Sequence, residues 1–308
     1  MENCSSNIMI DKNIVTSEII LYSLVTFFGI IFNTVALWVF CFRLHKWTET
    51  RVYMINLAIA DYTLVLTLPF ITYFHYHRWT PDELCTVVFA VHSMNTPMSI
   101  SNITLIALDR YIAIKHPLKA KVIRSPQKAA ITCLFFWLCC LLYMITLVVS
   151  FEKEKATAKE KERLCFYKTS VNYSIHIPIK FIIFFLLPLV ILLFCSIQII
   201  LCLKKKPNTS LQEKKLTQKA IRVVSVNMGT FILCFLPFHI SLLAQYALDS
   251  SETDCNLRQT IIKTTHATSF MMNLNCCLDA ICYYLVAKEF QEAASVLPPF
   301  KSMQSRSN

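Results

Sequence analysis

The sequence predicts an all-α membrane protein, a seven-transmembrane helix bundle followed by a short amphipathic C-terminal helix. Of its 308 residues, 55% are hydrophobic and 16% are charged, and the mean hydropathy is +0.50, too apolar for a soluble globular chain. Apolar runs of bilayer-spanning length lie at residues 19–42, 52–76, 84–114, 129–150, 175–203, 221–248 and 261–286. Because several runs contain His, Lys, Asn or Asp, the spans should pack around a polar interior.

Basic residues set the expected orientation of the spans. They follow the first and third spans and surround the link between the fifth and sixth, so the net charge of +11 reflects cytoplasmic loops rather than a nucleic-acid-binding surface. We therefore expect an extracellular N-terminus at residues 1–18, a transmembrane domain at 19–286, and a membrane-surface helix with a short cytoplasmic tail at 287–308. The N-terminal residues show no pattern of a cleaved signal peptide, and the expected location is the plasma membrane.

The third span carries a distinctive residue at each end. Cys85 lies at the outer end, and Asp109, Arg110 and Tyr111 lie at the inner end. From Cys85 to Arg110 a helix rises about 38 Å, so it crosses the bilayer completely. A cation beside a carboxylate is common at membrane interfaces, and this feature alone therefore has a plain structural interpretation as well as a functional one.

Short motifs on successive spans point to a family. They are Asn33, Asn-Leu-Ala-Ile-Ala-Asp at 56–61, Trp79, Cys85, Asp-Arg-Tyr at 109–111, Trp137, Pro188, Cys-Phe-Leu-Pro at 234–237 and Asp-Ala-Ile-Cys-Tyr at 279–283. With this set in order on seven spans, the chain resembles a class A, rhodopsin-like G-protein-coupled receptor over essentially its whole length. Segments 37–41, 47–51, 275–284 and 287–292 resemble one member of that family, for which kynurenic acid and lysophosphatidic acids are proposed agonists.

The resemblance implies that Arg110 is a conformational switch. At rest it pairs with Asp109, and on activation the sixth span swings outward so that Arg110 faces the partner. The implied partners are a heterotrimeric G protein, of the Gi/o or G12/13 type, and arrestin. The residues assigned to the switch are Asp109, Arg110, Tyr111, Phe235 and Tyr283. Two positions depart from the family pattern, since Ser196 stands where many members have tyrosine and Ala280 where many have proline.

A polar group in the middle of the bundle is a candidate cation site. Asp61 is an acid at mid-membrane depth, where an unpaired charge is costly. The oxygen-bearing residues expected around it are Asn95, Ser99, Asn275 and Asp279, in two pairs spaced four apart on a helix face. The resemblance implies an allosteric sodium ion at this site, and the alternative is a water-bridged polar network with Asp279 protonated. No other cofactor is expected.

The outer half of the bundle is rich in potential cations, which predicts an anionic ligand. The candidate ligand-binding residues are His92, Thr96, His176, Lys180, His239, Gln245, Lys263 and His266. Lys180 lies well inside a span, which is expensive unless it faces a wet cavity or a counter-charge, or extends to the interface. The member that the chain resembles uses arginines for its acidic ligand, whereas by simple counting those positions here hold Thr96, Leu147 and Gln245.

Four cysteines fall in segments that the topology places outside, where oxidation is permitted. The resemblance implies that Cys85 bonds Cys165 and that Cys4 bonds Cys255, while the alternative for Cys4 is a free thiol. Sequons at Asn3 and Asn172 predict glycosylation on the same side.

These features predict a receptor for an anionic small molecule or lysophospholipid that acts on a G protein. The sequence shows no set of nucleophile, general base and general acid, and it shows no metal-ligand cluster. We therefore do not expect an enzyme. Two alternatives stay open at this point. One is a cation- or proton-coupled transporter that uses Asp61 and Asp279, and the other is a ligand-binding receptor that has lost coupling through Ser196 and Ala280.

Overall fold

A computed structural model describes residues 12–43, 47–80, 82–157, 165–166, 176–205, 211–249 and 255–286. The described residues are helical with no β-strand, which confirms the all-α prediction. The helices are α1 Lys12–Trp38, α2 Glu49–His77, α3 Glu83–Lys115, α4 Pro117–Ile123, α5 Pro126–Thr157, α6 His176–Phe181, α7 Leu187–Lys205, α8 Leu211–Asp249, α9 Cys255–Asn273 and α10 Asn275–Val286. Two π-helical segments, Val39–Arg43 and Ile182–Leu186, continue α1 and join α6 to α7.

The predicted spans correspond to α1, α2, α3, α5, α6 with α7, α8, and α9 with α10. In the described part of the chain, five helical stretches are long and apolar enough to cross a membrane by length and composition, namely Val15–Arg43, Glu49–His77, Pro126–Thr146, Ile182–Lys205 and Ala220–Leu248. The third and seventh spans are more polar because they bury amides and carboxylates in the bundle. Three features were not predicted, namely the short helix α4, the break in the seventh span at Leu274 and the two π-helical segments. The C-terminal surface helix predicted at 287–308 lies outside the described residues.

At the end of the bundle that contains Cys85, which we call the outer end, α2 stops at a left-handed residue and α3 starts at a side-chain cap. Asp82 caps α3 by accepting a hydrogen bond from the Cys85 amide at 2.7 Å, and its other oxygen accepts one from the Trp79 indole at 2.9 Å. Arg78 ends α2 in the left-handed region, with φ of 51°, and its amide bonds the Phe74 carbonyl. The chain therefore turns sharply between these two spans.

Buried amides tie distant spans together. Asn56 on α2 donates to Asn102 on α3 at 2.7 Å and accepts from the Trp137 indole on α5 at the same distance. Asn33 on α1 donates to the carbonyl of Cys276 on α10 at 3.1 Å. Buried alone, these polar groups would be costly. The bonds therefore explain why the motif positions Asn33, Asn56 and Trp137 carry side chains that form hydrogen bonds.

One of the predicted disulfides is confirmed. Cys85 at the start of α3 bonds Cys165, 80 residues later, and the Cys165 amide donates to the Trp79 carbonyl at 2.8 Å. In the chain-entropy picture a loop of this length contributes about 4–5 kcal/mol to stability. The bridge holds Phe166 over the outer end of the bundle. The other predicted bridge, from Cys4 to Cys255, and the glycosylation of Asn3 and Asn172 involve side chains outside the described part and stay predictions.

Candidate functional site

A cavity of about 420 Å³ opens in the outer half of the bundle. Its wall is largely aromatic and aliphatic, and side chains from seven helices, from the second π-helical segment and from Phe166 contribute to it. Among the described residues, its ionisable lining consists of four histidines with two tyrosines, without lysine or arginine; the histidines are His75, His92, His239 and His266. The cavity thus combines an apolar body with groups that become positive on protonation.

Five of the eight predicted ligand residues line this cavity; they are His92, Thr96, His239, Gln245 and His266. Lys263 does not, because it lies on the exposed side of α9, one turn from His266. His176 and Lys180 belong to α6, but their side chains are outside the described part of the chain. The structure therefore brings the predicted histidines of the third, sixth and seventh spans together.

His239 connects the cavity to the predicted switch residue Phe235. Its ring stacks on Phe185, with ring centres 4.1 Å apart and planes at 10°, and its Nδ1 lies 2.8 Å from the Phe235 carbonyl oxygen. Phe185 belongs to the π-helical segment of the fifth span, and π segments often mark functional positions. Phe235 is fully buried and packs on Phe231, so a ligand that moves His239 acts directly on this aromatic cluster.

Phe166 covers the cavity, and sequence reasoning missed it. Its backbone is in the left-handed region, with φ of 68°, which is uncommon for a side chain of this size and costs about 1–3 kcal/mol. The adjacent disulfide and contacts with Phe89 and His92, at centroid distances of 5.4 Å and 5.7 Å, hold it there. No pattern in the sequence marks this conformation.

Sequence reasoning also missed a carboxylate at the mouth of the cavity. Glu18 on α1 places one oxygen 2.9 Å from His75 Nδ1 and the other 3.3 Å from His266 Nδ1. Next to this group, His92 Nδ1 lies 3.1 Å from the Thr67 hydroxyl. The available signal was that Glu18 and His75 are ionisable residues close to the outer ends of the first two spans.

At the inner end of the bundle, Arg124 binds the carboxylate of Asp109 through two hydrogen bonds. Its Nε donates to one oxygen at 2.7 Å and its Nη2 to the other at 3.0 Å, while the Thr50 hydroxyl donates to the second oxygen at 2.7 Å. The same Nη2 lies 3.0 Å from Glu49. The sequence predicts Arg110 as the cation beside Asp109, and the structure shows that Arg124, from the loop after α4, binds both oxygens.

The charge of Arg124 is secured by this arrangement. Burial acts to lower the pKa of Arg124, but the hydrogen bond and charge of Asp109 and the charge of Glu49 raise that pKa above its usual value. Arg124 is therefore positive at every physiological pH. We call the set of Glu49, Thr50, Asp109 and Arg124 the inner clasp.

Helix α4, next to the inner clasp, presents an apolar surface. The side chains of Leu118 and Val122 are 81% and 77% exposed, whereas Ala120 is buried against the bundle. Lys128 caps the C-terminal end of α4 by donating to two of its last carbonyls at 3.3 Å. Tyr111 packs against Phe194 of α7 with ring centres 5.7 Å apart, and Tyr283 lies on α10 with its side chain outside the described part.

The predicted cation site holds buried oxygens that accept no hydrogen bond from the described residues. They are both carboxylate oxygens of Asp61, the Ser99 hydroxyl and the amide oxygen of Asn275. Asn275 donates to Asp279 at 2.7 Å, and Asn95 donates to the Ala60 carbonyl at 3.0 Å. Buried oxygens without partners suit a small hard cation or ordered water. In the described part no cluster of three or more His, Cys, Asp or Glu side chains has the arrangement of a metal site.

Comparison with known proteins shows which family has this architecture. The family profile described as "7 transmembrane receptor (rhodopsin family)" matches residues 32–283, most of the chain. The chain belongs to the rhodopsin family of seven-transmembrane receptors. Proteins of this family are receptors and not enzymes, they cross the plasma membrane several times, and they couple a small-molecule or lipid ligand to a G protein.

Individual rhodopsin-family receptors are similar to this chain over most of its length. G-protein coupled receptor 35 of Mus musculus is 38% identical over 308 residues, covering 98% of this chain and 97% of its own. Lysophosphatidic acid receptor 4 of Homo sapiens is 32% identical over 280 residues, covering 88% of this chain and 75% of its own. The N-arachidonyl glycine receptor of Bos taurus is 32% identical over 281 residues, covering 89% of this chain and 82% of its own length.

Proposed function

We propose that this rhodopsin-family receptor responds to an anionic amphiphile, either an acidic small molecule or a lysophospholipid. The cavity carries the proposal, because it joins four histidines to an aromatic and aliphatic wall. Two similar receptors are named for ligands of this chemistry, lysophosphatidic acid and N-arachidonyl glycine. Both ligands have an acidic group on a long apolar chain.

The layout of the cavity suits such a ligand. Its volume of about 420 Å³ is in the range of small-molecule sites. His75 and His92 contact Phe166 and so lie at the mouth. His266 lies beside the same carboxylate as His75, that of Glu18, and completes the group that receives an acidic ligand. Phe181, Phe184 and Phe238 form an apolar wall for the rest of the ligand, and burying apolar surface there contributes roughly 25 cal/mol per Å².

The inner surface supports the other half of the proposal. With residues 1–18 outside the cell, Arg110, the inner clasp and the exposed apolar side of α4 face the cytoplasm beside basic loops. We infer that this surface binds a heterotrimeric G protein of the Gi/o or G12/13 type, and arrestin. The ligand favours the bundle state in which the sixth span is moved outward.

Substitution of Lys180 tests whether the ligand is anionic. We expect Lys180→Ala to weaken the binding of an acidic amphiphile about 10- to 100-fold and that of its neutral amide by no more than about threefold, because a charge-assisted hydrogen bond contributes roughly 1.5–3 kcal/mol. Saturation binding of a matched fluorescent acid and amide measures this ratio. Lys263→Ala is the control, since Lys263 is exposed outside the cavity. An equal loss for acid and amide would contradict the assignment of Lys180 as counter-ion.

We also propose that Asp61, Asn95, Ser99, Asn275 and Asp279 bind an allosteric sodium ion through their oxygens. Purified receptor should then melt about 2–4 °C higher in sodium chloride than in N-methylglucamine chloride at equal ionic strength, because a ligand at ten times its Kd stabilises the folded state by about 1.4 kcal/mol. Asp61→Asn should remove the difference. Equal melting temperatures of the unsubstituted receptor in the two salts would favour the water-bridged network.

A further inference from the structure

Three ionisable side chains from three spans meet at the mouth of the cavity. Glu18 of α1 lies 2.9 Å from His75 of α2 and 3.3 Å from His266 of α9, measured from a carboxylate oxygen to Nδ1 in each case. Glu18 and His75 are buried, and 26% of the His266 side chain is exposed. Both histidines line the cavity. We call these residues the mouth triad.

The mouth triad can bind more protons than the one that makes it electrically neutral. A buried carboxylate is costly without a positive partner, so Glu18 favours a proton on one of the two imidazoles. That single proton makes the triad neutral, and the second imidazole keeps a site for another. Among the described residues, the titratable groups that face the triad from neighbouring positions are Tyr22 on α1 and His92 on α3, and neither adds a permanent charge.

We propose that the mouth triad takes up a proton when an anionic ligand enters the cavity, so that extracellular protons act as a second ligand of the receptor. The inference rests on the proposed function, because it requires a negatively charged ligand. An anion beside a neutral triad adds an unpaired negative charge at a buried site. Protonation of the second histidine removes that imbalance, giving one carboxylate and one ligand anion against two imidazolium groups.

The sign of the pH dependence follows from linkage. The complex binds more protons than the free receptor, so lowering the pH favours the complex and raising the pH weakens it. For uptake of one proton, the Kd of an anionic ligand changes by up to about tenfold per pH unit. Histidine is the side chain that ordinarily titrates between pH 5 and 8, so the effect falls in the range of extracellular fluids.

The test uses a probe whose own charge is constant. An alkyl or aryl sulfonate stays ionised throughout the range, and an uncharged sulfonamide of the same shape is the neutral counterpart. Their Kd values are measured on purified receptor in lipid nanodiscs from pH 8.0 to pH 6.0. We expect the sulfonate to bind roughly five- to tenfold more tightly per pH unit on acidification while the sulfonamide is unchanged. Calorimetry in buffers of different ionisation enthalpy should show net proton uptake for the sulfonate.

Matched variants locate the effect. The double substitution His75→Gln with His266→Gln should make sulfonate binding independent of pH while the sulfonamide still binds, which shows that the variant folds. His77→Gln is the control, because His77 is an exposed histidine on the same helix and packs on Tyr73 outside the cavity. It should keep the full pH dependence.

Two results overturn the inference while leaving the proposed function intact: sulfonate binding that does not vary with pH in the unsubstituted receptor, or a pH slope that survives in the double variant. Absence of sulfonate binding at every pH, with the sulfonamide bound, would overturn the proposed function and this inference together.

Discussion

Replacing Arg124 with glutamine should raise ligand-independent nucleotide exchange on the G protein several-fold. Arg124 makes two hydrogen bonds to Asp109 and an ion pair with Glu49, and its side chain is only 24% exposed. Hydrogen bonds to charged groups contribute roughly 1.5–3 kcal/mol each, and a shift of about 1.4 kcal/mol between two states changes their ratio tenfold. If the inner clasp exists only in the resting bundle, its loss favours the active one.

Basal exchange by purified receptor measures this effect. Lys121→Gln is a suitable control because Lys121 is an exposed cation on α4, close to Arg124 but outside the inner clasp. Glu49→Gln should raise basal exchange less than Arg124→Gln, since Glu49 makes one of the contacts of Arg124 and Asp109 makes two. Basal exchange that stays at the unsubstituted level in Arg124→Gln would show that the inner clasp persists in the active state.

Much of the fold follows from hydropathy, because bilayer length and internal hydrogen bonding leave few options for a chain of this composition. The break at Leu274 and the helix α4 did not follow. Helix α4 is capped by Lys128, a polar contact that a pattern of apolar residues does not encode. The apolar pattern of the seventh span continues through Leu274 and so does not mark the break. The short helix matters for function because it carries the exposed Leu118 and Val122.

Five of the eight predicted ligand residues line the cavity, and one difference from the prediction lies in the rotation of α9. His266 and Lys263 are three residues apart and both were expected to face the ligand, but His266 lines the cavity and Lys263 is exposed. Neighbours on one helix can lie on either side of a packing boundary, and the sequence does not say where that boundary runs. The rotation of α9 is set by its contacts with α1 and α8.

The residues that the sequence did not reveal were missed for one physical reason. Arg124 reaches Asp109 across a loop, Glu18 reaches His75 across two spans, and Phe166 is held by a disulfide. Each contact joins residues distant in sequence and leaves no periodic trace. His266 was predicted as a separate ligand contact and His75 was not predicted, whereas the coupling of the two through Glu18 is visible only in three dimensions.

Arg110 is the residue on which signalling should depend most. Arg110→Ala is expected to bind an acidic amphiphile with nearly unchanged affinity, because Arg110 lies at the inner end of α3 and the cavity is at the outer end. The same variant should lose ligand-stimulated nucleotide exchange almost completely, since the family resemblance implies that this side chain faces the G protein in the active state. Binding and exchange therefore separate in one protein.

Ligand-stimulated nucleotide exchange, measured with purified receptor, a panel of G proteins and acidic amphiphiles, tests directly whether the chain is a signalling receptor. We predict an exchange rate that rises with ligand concentration for the unsubstituted receptor and stays at the basal level for Arg110→Ala, while both bind the ligand. Saturable binding without exchange on any G protein would contradict this result and identify a non-coupling receptor. Exchange that survives in Arg110→Ala would contradict the role of the switch.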